Sequence, residues 1–338
     1  MSEKEFATYQ EIVSQAGTLE KILKRLSRPP VDFNRYERVI LTGCGSSLFL
    51  GQLGAFTWQT RLDVPCSAVP ASELLLYPDA YLNRGESSVL FALSRTGDTS
   101  ETNRAARQAQ QEYGCQVIPV TCYPESKLAK LGEGAVLSEV QEESVVMTRA
   151  FTGILGAFLN WAEPEAALHQ VPACISSGIR KYERPIAELA REDYRKMVFL
   201  GTGPLYPLAC ESMLKVKEMT GSGTEAWQTF EFRHGPKAIL DDSALVWLFA
   251  ARRDLPYLGD VIDEIKGLKA SICLVGNRIP SELADKARYS FTVDWPFERV
   301  ETEALGLLHL AQLYAFFRSV HLGKNPDHPA NLSRVVKL

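Results

Sequence analysis

Continuous apolar runs, arranged in two groups with helical patterns between them, constrain this fold more than any other feature of the chain. The first group is Val39-Ile-Leu-Thr-Gly, Ser88-Val-Leu-Phe-Ala-Leu-Ser, Gln116-Val-Ile-Pro-Val-Thr and Ala135-Val-Leu. The second is Met197-Val-Phe-Leu-Gly-Thr-Gly, Ala244-Leu-Val-Trp-Leu-Phe, Ser271-Ile-Cys-Leu-Val and Tyr289-Ser-Phe-Thr-Val. Runs this rich in Val, Ile and Leu read as strands of a parallel sheet that helices cover on both faces. Helical patterns such as Ser100 to Tyr113 and Tyr206 to Met219 fill the intervals, which predicts a doubly wound α/β architecture. Order repeats as well as class. Val39-Ile-Leu-Thr-Gly-Cys-Gly and Val198-Phe-Leu-Gly-Thr-Gly each present a strand, Gly-x-Gly and a helix. Two related α/β halves are therefore expected, at residues 36–165 and 195–325, with Glu163-Pro-Glu and Pro172-Ala-Cys-Ile bracketing the connection. A helical arm (4–26) lies within residues 1–35. A proline-punctuated tail, 326–338, follows the last long helix, Glu301 to Leu322.

The chain has 338 residues, 46% hydrophobic and 23% charged, enough apolar material for two full cores. Its net charge of -4 gives no electrostatic reason to expect nucleic acid or an anionic membrane as a partner. A small anion needs only a local nest of N–H groups, so an anionic substrate stays open. The N-terminus, Met1-Ser-Glu-Lys-Glu-Phe, does not read as a signal peptide. No apolar run approaches the roughly 18 residues of a membrane-spanning helix. Seven scattered cysteines read as buried thiols of a reducing compartment, and a cytoplasmic location is expected.

Two strand ends carry the makings of an anion site. In Gly43-Cys-Gly-Ser46-Ser47, small residues between strand and helix leave backbone N–H groups open at a helix N-terminus. Taken alone, a structural turn explains this motif as well. A dinucleotide fingerprint is disfavoured, because Leu48 stands where its third glycine belongs and Asp63 precedes the second strand instead of ending it. The run Ser94-Arg95-Thr96-Gly97-Asp98-Thr99-Ser100 closes the next buried strand and opens a helix. Ser94, Thr96 and Thr99 offer hydroxyls and Arg95 a guanidinium, at the carboxyl edge where open α/β sheets bind ligands. Helix capping would use one hydroxyl; three converging on one loop point to a phosphate cradle.

Spacings of four and three put Glu211, Lys215 and Glu218 on one helix face. Such a face is ordinarily a solvated salt-bridge stripe. Here its helix starts from Gly201-Thr-Gly203 at the ligand edge of the second sheet, so the face is a candidate pocket lining. His234, in Phe230-Glu-Phe-Arg-His-Gly-Pro-Lys237, falls in a segment expected to be a loop, where functional groups concentrate. The other histidines (169, 309, 321, 328) lack ligand spacing, and neither a metal nor another cofactor is expected.

Taken in order, Gly43-Cys-Gly-Ser-Ser, Ser94-Arg-Thr-Gly-Asp-Thr, Val146-Met-Thr-Arg-Ala-Phe-Thr, Glu211 to Glu218, Phe232-Arg-His-Gly-Pro-Lys and Asn331-Leu-Ser-Arg resemble the sugar isomerase (SIS) domain family in its double-domain form. The likeness spans nearly the whole chain and implies flavodoxin-like halves. The layout is similar to the isomerase half of glucosamine-6-phosphate synthases. It is more similar to the tagatose-6-phosphate ketose/aldose isomerase branch, also described as galactosamine-6-phosphate deaminase/isomerases, through Phe232 to Lys237 followed by Asp241-Asp242. The resemblance implies that Ser94, Arg95, Thr96 and Thr99 hold a phosphate with help from Ser47. It implies that Ser46 faces the sugar and that Ser333 joins the substrate-binding set. By the same resemblance Glu218 moves a proton between C1 and C2, His234 assists ring opening, and Glu211 and Lys215 support them. Arg334 stands where the synthase keeps a reactive lysine; a guanidinium is a poor Schiff-base former, which leaves charge stabilisation. Without a glutaminase domain or an N-terminal Cys nucleophile, glutamine-dependent synthesis is not expected.

The function expected from this reading is aldose–ketose isomerisation, or deaminating isomerisation, of a hexose or hexosamine 6-phosphate. The resemblance further implies a homodimer with shared active sites. Two alternatives stay open: a fructosamine-6-phosphate deglycase using the same carboxylate, and a non-catalytic sugar-phosphate sensor. Retention of Glu218 together with His234 favours an enzyme, and no DNA-binding helix pair precedes the first sheet.

Overall fold

The computed structural model describes residues 3–162 and 166–338. The first half carries β1 (Arg38–Gly43), β2 (Cys66–Pro70), β3 (Ser88–Leu93), β4 (Gln116–Thr121) and β5 (Ala135–Val136) in the order β2-β1-β3-β4-β5. The second carries β6 (Lys196–Gly201), β7 (Thr224–Gln228), β8 (Ala244–Ala250), β9 (Ser271–Asn277) and β10 (Tyr289–Val293) in the order β10-β9-β8-β6-β7. Counted from its own first strand, the second sheet has the order of the first, and the pairings of both are parallel. This is the flavodoxin-like, doubly wound order, twice over. The strands that the apolar runs did not announce, β2 and β7, are both edge strands with mixed exposure, so their sequences lack a continuous apolar stretch.

Helices α1 (Ala7–Arg25), α2 (Ser46–Gln59), α3 (Ala71–Leu76), α4 (Ser100–Tyr113) and α5 (Arg149–Ala162) accompany the first sheet in sequence. Helices α6 (Val171–Leu189), α7 (Leu205–Thr220), α8 (Leu255–Gly267), α9 (Ser281–Ala284) and α10 (Val300–His321) accompany the second. The chain forms two compact units: Ser14–His169 with Asn331–Leu338, and Met1–Val13 with Gln170–Ala330. The arm helix α1 is thus divided between them, and the last residues of the tail belong with the first sheet. Glu163-Pro-Glu lies outside the described residues. Pro172 stands in the first turn of α6, where a missing N–H costs nothing, so much of the expected connection is helix.

The repeated Gly-x-Gly has one physical cause in both units. A Cβ on Gly43 would stand 2.7 Å from Ser47 Cβ, and one on Gly201 would run into the carbonyl of Leu205. The helices α2 and α7 therefore start against their strand ends only because no side chain intervenes. The second glycines, Gly45 (φ 55°) and Gly203 (φ 57°), turn the chain through the left-handed region.

Each sheet buries an aromatic cluster on one face. In the first unit Trp58 of α2 meets Phe91 of β3 edge-on at 4.7 Å and Phe158 of α5 at 5.0 Å, and its indole N–H donates to the Phe158 carbonyl. The opposite face packs Ala105, Ala106 and Ala109 of α4 onto Ile40, Leu90 and Val117. In the second unit Trp247 of β8 packs on Tyr314 of α10 at 5.1 Å, and α10 is buried along almost its whole length. Asp327, from the proline-punctuated tail, caps α1 by accepting from the Ala7 and Thr8 amides at 2.9 and 2.7 Å.

Gly201→Ala is expected to cost the second unit about 1–3 kcal/mol, because backbone and not a flexible side chain blocks the new methyl. Urea denaturation checks this against Gly267→Ala, where a Cβ meets nothing within 4 Å and stability should hold.

Candidate active site

In the first unit, β1 and β3 are neighbours at the point where the strand order reverses, and their carboxyl ends carry the two candidate loops. Ser46 and Ser47 open α2, and both are buried. The Ser94–Thr99 loop is folded on itself. Ser94 Oγ lies 3.0 Å from Thr99 Oγ1 and accepts from the Gly97 amide at 3.0 Å, while Thr96 Oγ1 accepts from the Asp98 amide at 3.3 Å. Asn103 Nδ2 clamps the loop from α4 by donating to the carbonyls of Gly97 and Thr99. Thr99 occupies the N-cap of α4 but its side chain makes no capping bond. Capping is thus not what these hydroxyls do. Cys44, inside the glycine turn, is no ready nucleophile: burial pushes its thiol up more than the contact with Thr102 lowers it.

Arg95 is placed differently from its neighbours. Its guanidinium is buried and donates to Glu142 Oε2 at 2.8 Å and to the carbonyls of Ser144 and Val145 at 3.4 and 2.6 Å. The Glu142 side chain has no exposed surface, and its other oxygen accepts from the Thr148 amide, the Thr148 hydroxyl and the Ala150 amide at 2.7, 3.0 and 3.0 Å. Burial opposes the Arg95 charge, but attraction and hydrogen bonding from Glu142 outweigh it, so the guanidinium holds its proton above the ordinary range. Glu142 was absent from the residues marked in the sequence. No local signal marks it, because Arg95 lies 47 residues away in sequence.

The tail residues lie on the same unit. Arg334 donates to Tyr123 Oη at 2.7 Å and to the Glu142 carbonyl, with its guanidinium over the Tyr123 ring at 5.8 Å. The Ser100 amide, in the first turn of α4, meets the Val336 carbonyl at 3.4 Å. Ser333 turns its hydroxyl to the Val335 carbonyl.

In the second unit, α7 brings Glu211, Lys215 and Glu218 together as the spacing predicts, but not as a solvated stripe. Lys215 is wholly buried, 2.5 Å from Glu218 Oε2 and 3.3 Å from Glu211 Oε1. Glu211 is also wholly buried, whereas the Glu218 side chain keeps 22% exposure. An ammonium held in low dielectric between two carboxylates fixes both of them strongly. His234 is exposed in a turn whose two flanks are tied to a single carboxylate: Arg233 Nε donates to Glu264 Oε2 at 2.6 Å and Lys237 to Glu264 Oε1. Those bonds, Lys237 foremost, hold Glu264 below the usual carboxylate range. His309 is a core residue: burial pushes it down to about 4, and Nδ1 sits on the Gly306 carbonyl.

Among the described residues no three His, Cys, Asp or Glu side chains are grouped to hold a metal ion, and no helix is long and apolar enough to cross a membrane. The cysteines are free thiols; Cys115, Cys122, Cys210 and Cys273 are buried, while Cys44, Cys66 and Cys174 are partly exposed.

Repeated 2-1-3-4-5 sheets, a hydroxyl-rich loop at the switch point of one and a buried Glu-Lys-Glu face beside the other define a two-unit α/β protein of the SIS type. Residues 32–159, in the first unit, match the family described as SIS domain. It is 27% identical over 328 residues to the D-galactosamine-6-phosphate deaminase of Escherichia coli, covering 89% of this chain and 84% of that protein. The crystal structure of tagatose-6-phosphate ketose/aldose isomerase from Escherichia coli matches with a TM-score of 0.86 and 25% identity, over 98% of this chain and 99% of the other. Glucosamine-6-phosphate deaminase from Thermotoga maritima matches with a TM-score of 0.83 and 25% identity, over 98% of this chain and 100% of the other.

Lys215→Met removes the cation between two carboxylates, one of them wholly buried. Breaking such a pair should cost roughly 3–5 kcal/mol by urea denaturation. A loss below about 1 kcal/mol would place the group in solvent instead.

Proposed function

We propose that this chain is an enzyme that isomerises, or deaminates with isomerisation, a hexose or hexosamine 6-phosphate. The observation that carries the reading is the buried Lys215 holding Glu211 and Glu218, with only Glu218 reaching solvent. A merely structural stripe would have no need to desolvate Lys215 and Glu211. The relatives, phosphosugar isomerases and deaminases, support the same reaction class.

On this reading Ser94, Thr96 and Thr99, with Ser47 and the first-turn amides of α4, take the phosphate, and Ser46 meets the sugar. His234 assists ring opening. Glu218 removes the proton from C2 of the open aldose and the C1 oxygen gains one, giving an enediol, or an enolamine when C2 carries nitrogen. Returning the proton to C1, while the C2 hydroxyl or amine gives one up, yields the ketose, or an imine at C2 that water hydrolyses to ketose and ammonia. Arg334 contributes charge and anchors the tail by its bonds to Tyr123 and Glu142. The free thiols support a reducing compartment such as the cytoplasm.

The test is release of ketose and ammonia from D-galactosamine and D-glucosamine 6-phosphates, and of aldose from D-tagatose 6-phosphate, with and without EDTA. Turnover should require the 6-phosphate and survive EDTA. Glu218→Gln should lower kcat by about 10²–10⁴-fold while KM stays within a fewfold. Saturable binding without turnover of any sugar phosphate would favour a sensor, and turnover confined to a fructosamine 6-phosphate a deglycase.

We further propose a homodimer in which each site takes Glu218 from one protomer and His234 from its partner. The exposure of His234, on a loop pinned by Glu264, supports this reading. Glu218→Gln and His234→Ala chains refolded together should then regain roughly a quarter of wild-type activity, because half the dimers are mixed and each holds one intact site. A mixture no more active than its parents would place both residues in one protomer.

A further inference from the structure

The residue between the phosphate-loop hydroxyls is not free to meet a phosphate as it stands. Arg95 is buried, and its guanidinium donates to Glu142 Oε2 and to the carbonyls of Ser144 and Val145. Its own carbonyl is held as well, accepting from the Cys122 amide at 2.9 Å and the Thr121 hydroxyl at 3.1 Å. The residue is therefore fixed at both ends, and Ser94 and Thr96 are its chain neighbours.

The other member of the pair is equally committed. The Glu142 carboxylate takes Arg95 on one oxygen and three donors from Thr148 and Ala150 on the other, which fills the capacity of a carboxylate. One buried group thus joins the phosphate loop to the start of α5. Its main-chain carbonyl receives Arg334 from the tail. Swinging Arg95 out to an anion would leave this carboxylate buried without its countercharge, a costly state.

We infer that Glu142 is a positioning residue of the phosphate site, acting through Arg95, and that the phosphate is held by hydroxyls and backbone amides without a guanidinium contact. The inference rests on the phosphate-binding reading of the Ser94–Thr99 loop. It assigns Arg95 to setting that loop, in place of the ligand role that the family resemblance implied.

The two roles predict opposite signs for one substitution. If Arg95 were a ligand restrained by Glu142, Glu142→Gln would release it and tighten phosphate binding. If Glu142 positions the loop, the same change loosens the hydroxyls. Binding of inorganic phosphate by calorimetry, and KM and kcat with D-galactosamine 6-phosphate, should be measured for wild type, Glu142→Gln, Arg95→Gln and the double variant. Each single variant should raise the phosphate Kd and the KM by about tenfold with kcat within about threefold, and the double should be no worse than the weaker single. Glu142→Asp and Arg95→Lys keep the charges, shift the geometry by about one methylene or one fork, and should raise KM in the same direction even if the Gln variants fail to fold. Phosphate binding by Glu142→Gln, or by Glu142→Asp, that equals or exceeds wild type overturns the inference. Absence of phosphate binding and 6-phosphate dependence in wild type overturns the underlying loop reading itself, and is told apart by needing no variant.

Discussion

At the ends of β1 and β6 a helix begins so close to its strand that no side chain fits between them. Gly43 and Gly201 are the residues that allow this, and the arrangement of both units follows from it. A helix that starts against a strand end directs its first-turn amides at the carboxyl edge of the sheet, where a parallel sheet has no other use for its loops. In the first unit this brings Ser46 and Ser47 to the edge, one strand from the Ser94–Thr99 loop. In the second it starts α7 at the corresponding edge, and spacings of four and three put positions 211, 215 and 218 on one face of that helix.

Much of this was legible because the physics is local. Buried parallel strands read as apolar runs, the close helix starts as Gly-x-Gly, and the helices Ser100–Tyr113 and Leu205–Thr220 fell where the pattern put them. The edge strands β2 and β7 were illegible for the converse reason, since Cys66–Pro70 and Thr224–Gln228 have one covered side and only five residues each. The partner of Arg95 was hidden for a different reason again. Glu142 lies 47 residues away in sequence, and no local pattern announces that a charged residue will be wholly buried by a contact so distant. Ser46, Ser47 and the Ser94–Thr99 loop lie at the carboxyl ends of β1 and β3. Which way each side chain turned was a tertiary matter, and for Arg95 it decided the role.

The two units handle buried charge in opposite ways. In the first, the buried charges of Arg95 and Glu142 cancel within their pair, and the hydroxyls of Ser94, Thr96 and Thr99 stand beside it as dipoles. Such dipoles hold an anion through geometry and are relatively insensitive to ionic strength. In the second, Lys215 is enclosed with two carboxylates, so the local charge is unbalanced toward the acids, and Glu218 is the one with an exposed edge. One arrangement suits a group that is bound identically before and after reaction. The other suits a group that must pass a proton.

The tail completes this division of labour. Arg334 comes last in sequence but belongs with the first unit, bonded to Tyr123 and to the carbonyl of the same Glu142 that holds Arg95. A guanidinium is a poor imine former. On the proposed reading, no protein amine is called for. A hexosamine phosphate carries its own nitrogen at C2, and the proton shift alone converts that amine into a hydrolysable imine. Replacing a reactive lysine by arginine would disable a reaction that must form its imine with the protein. It leaves intact one in which the imine arises from the substrate and the carboxylate does the rest.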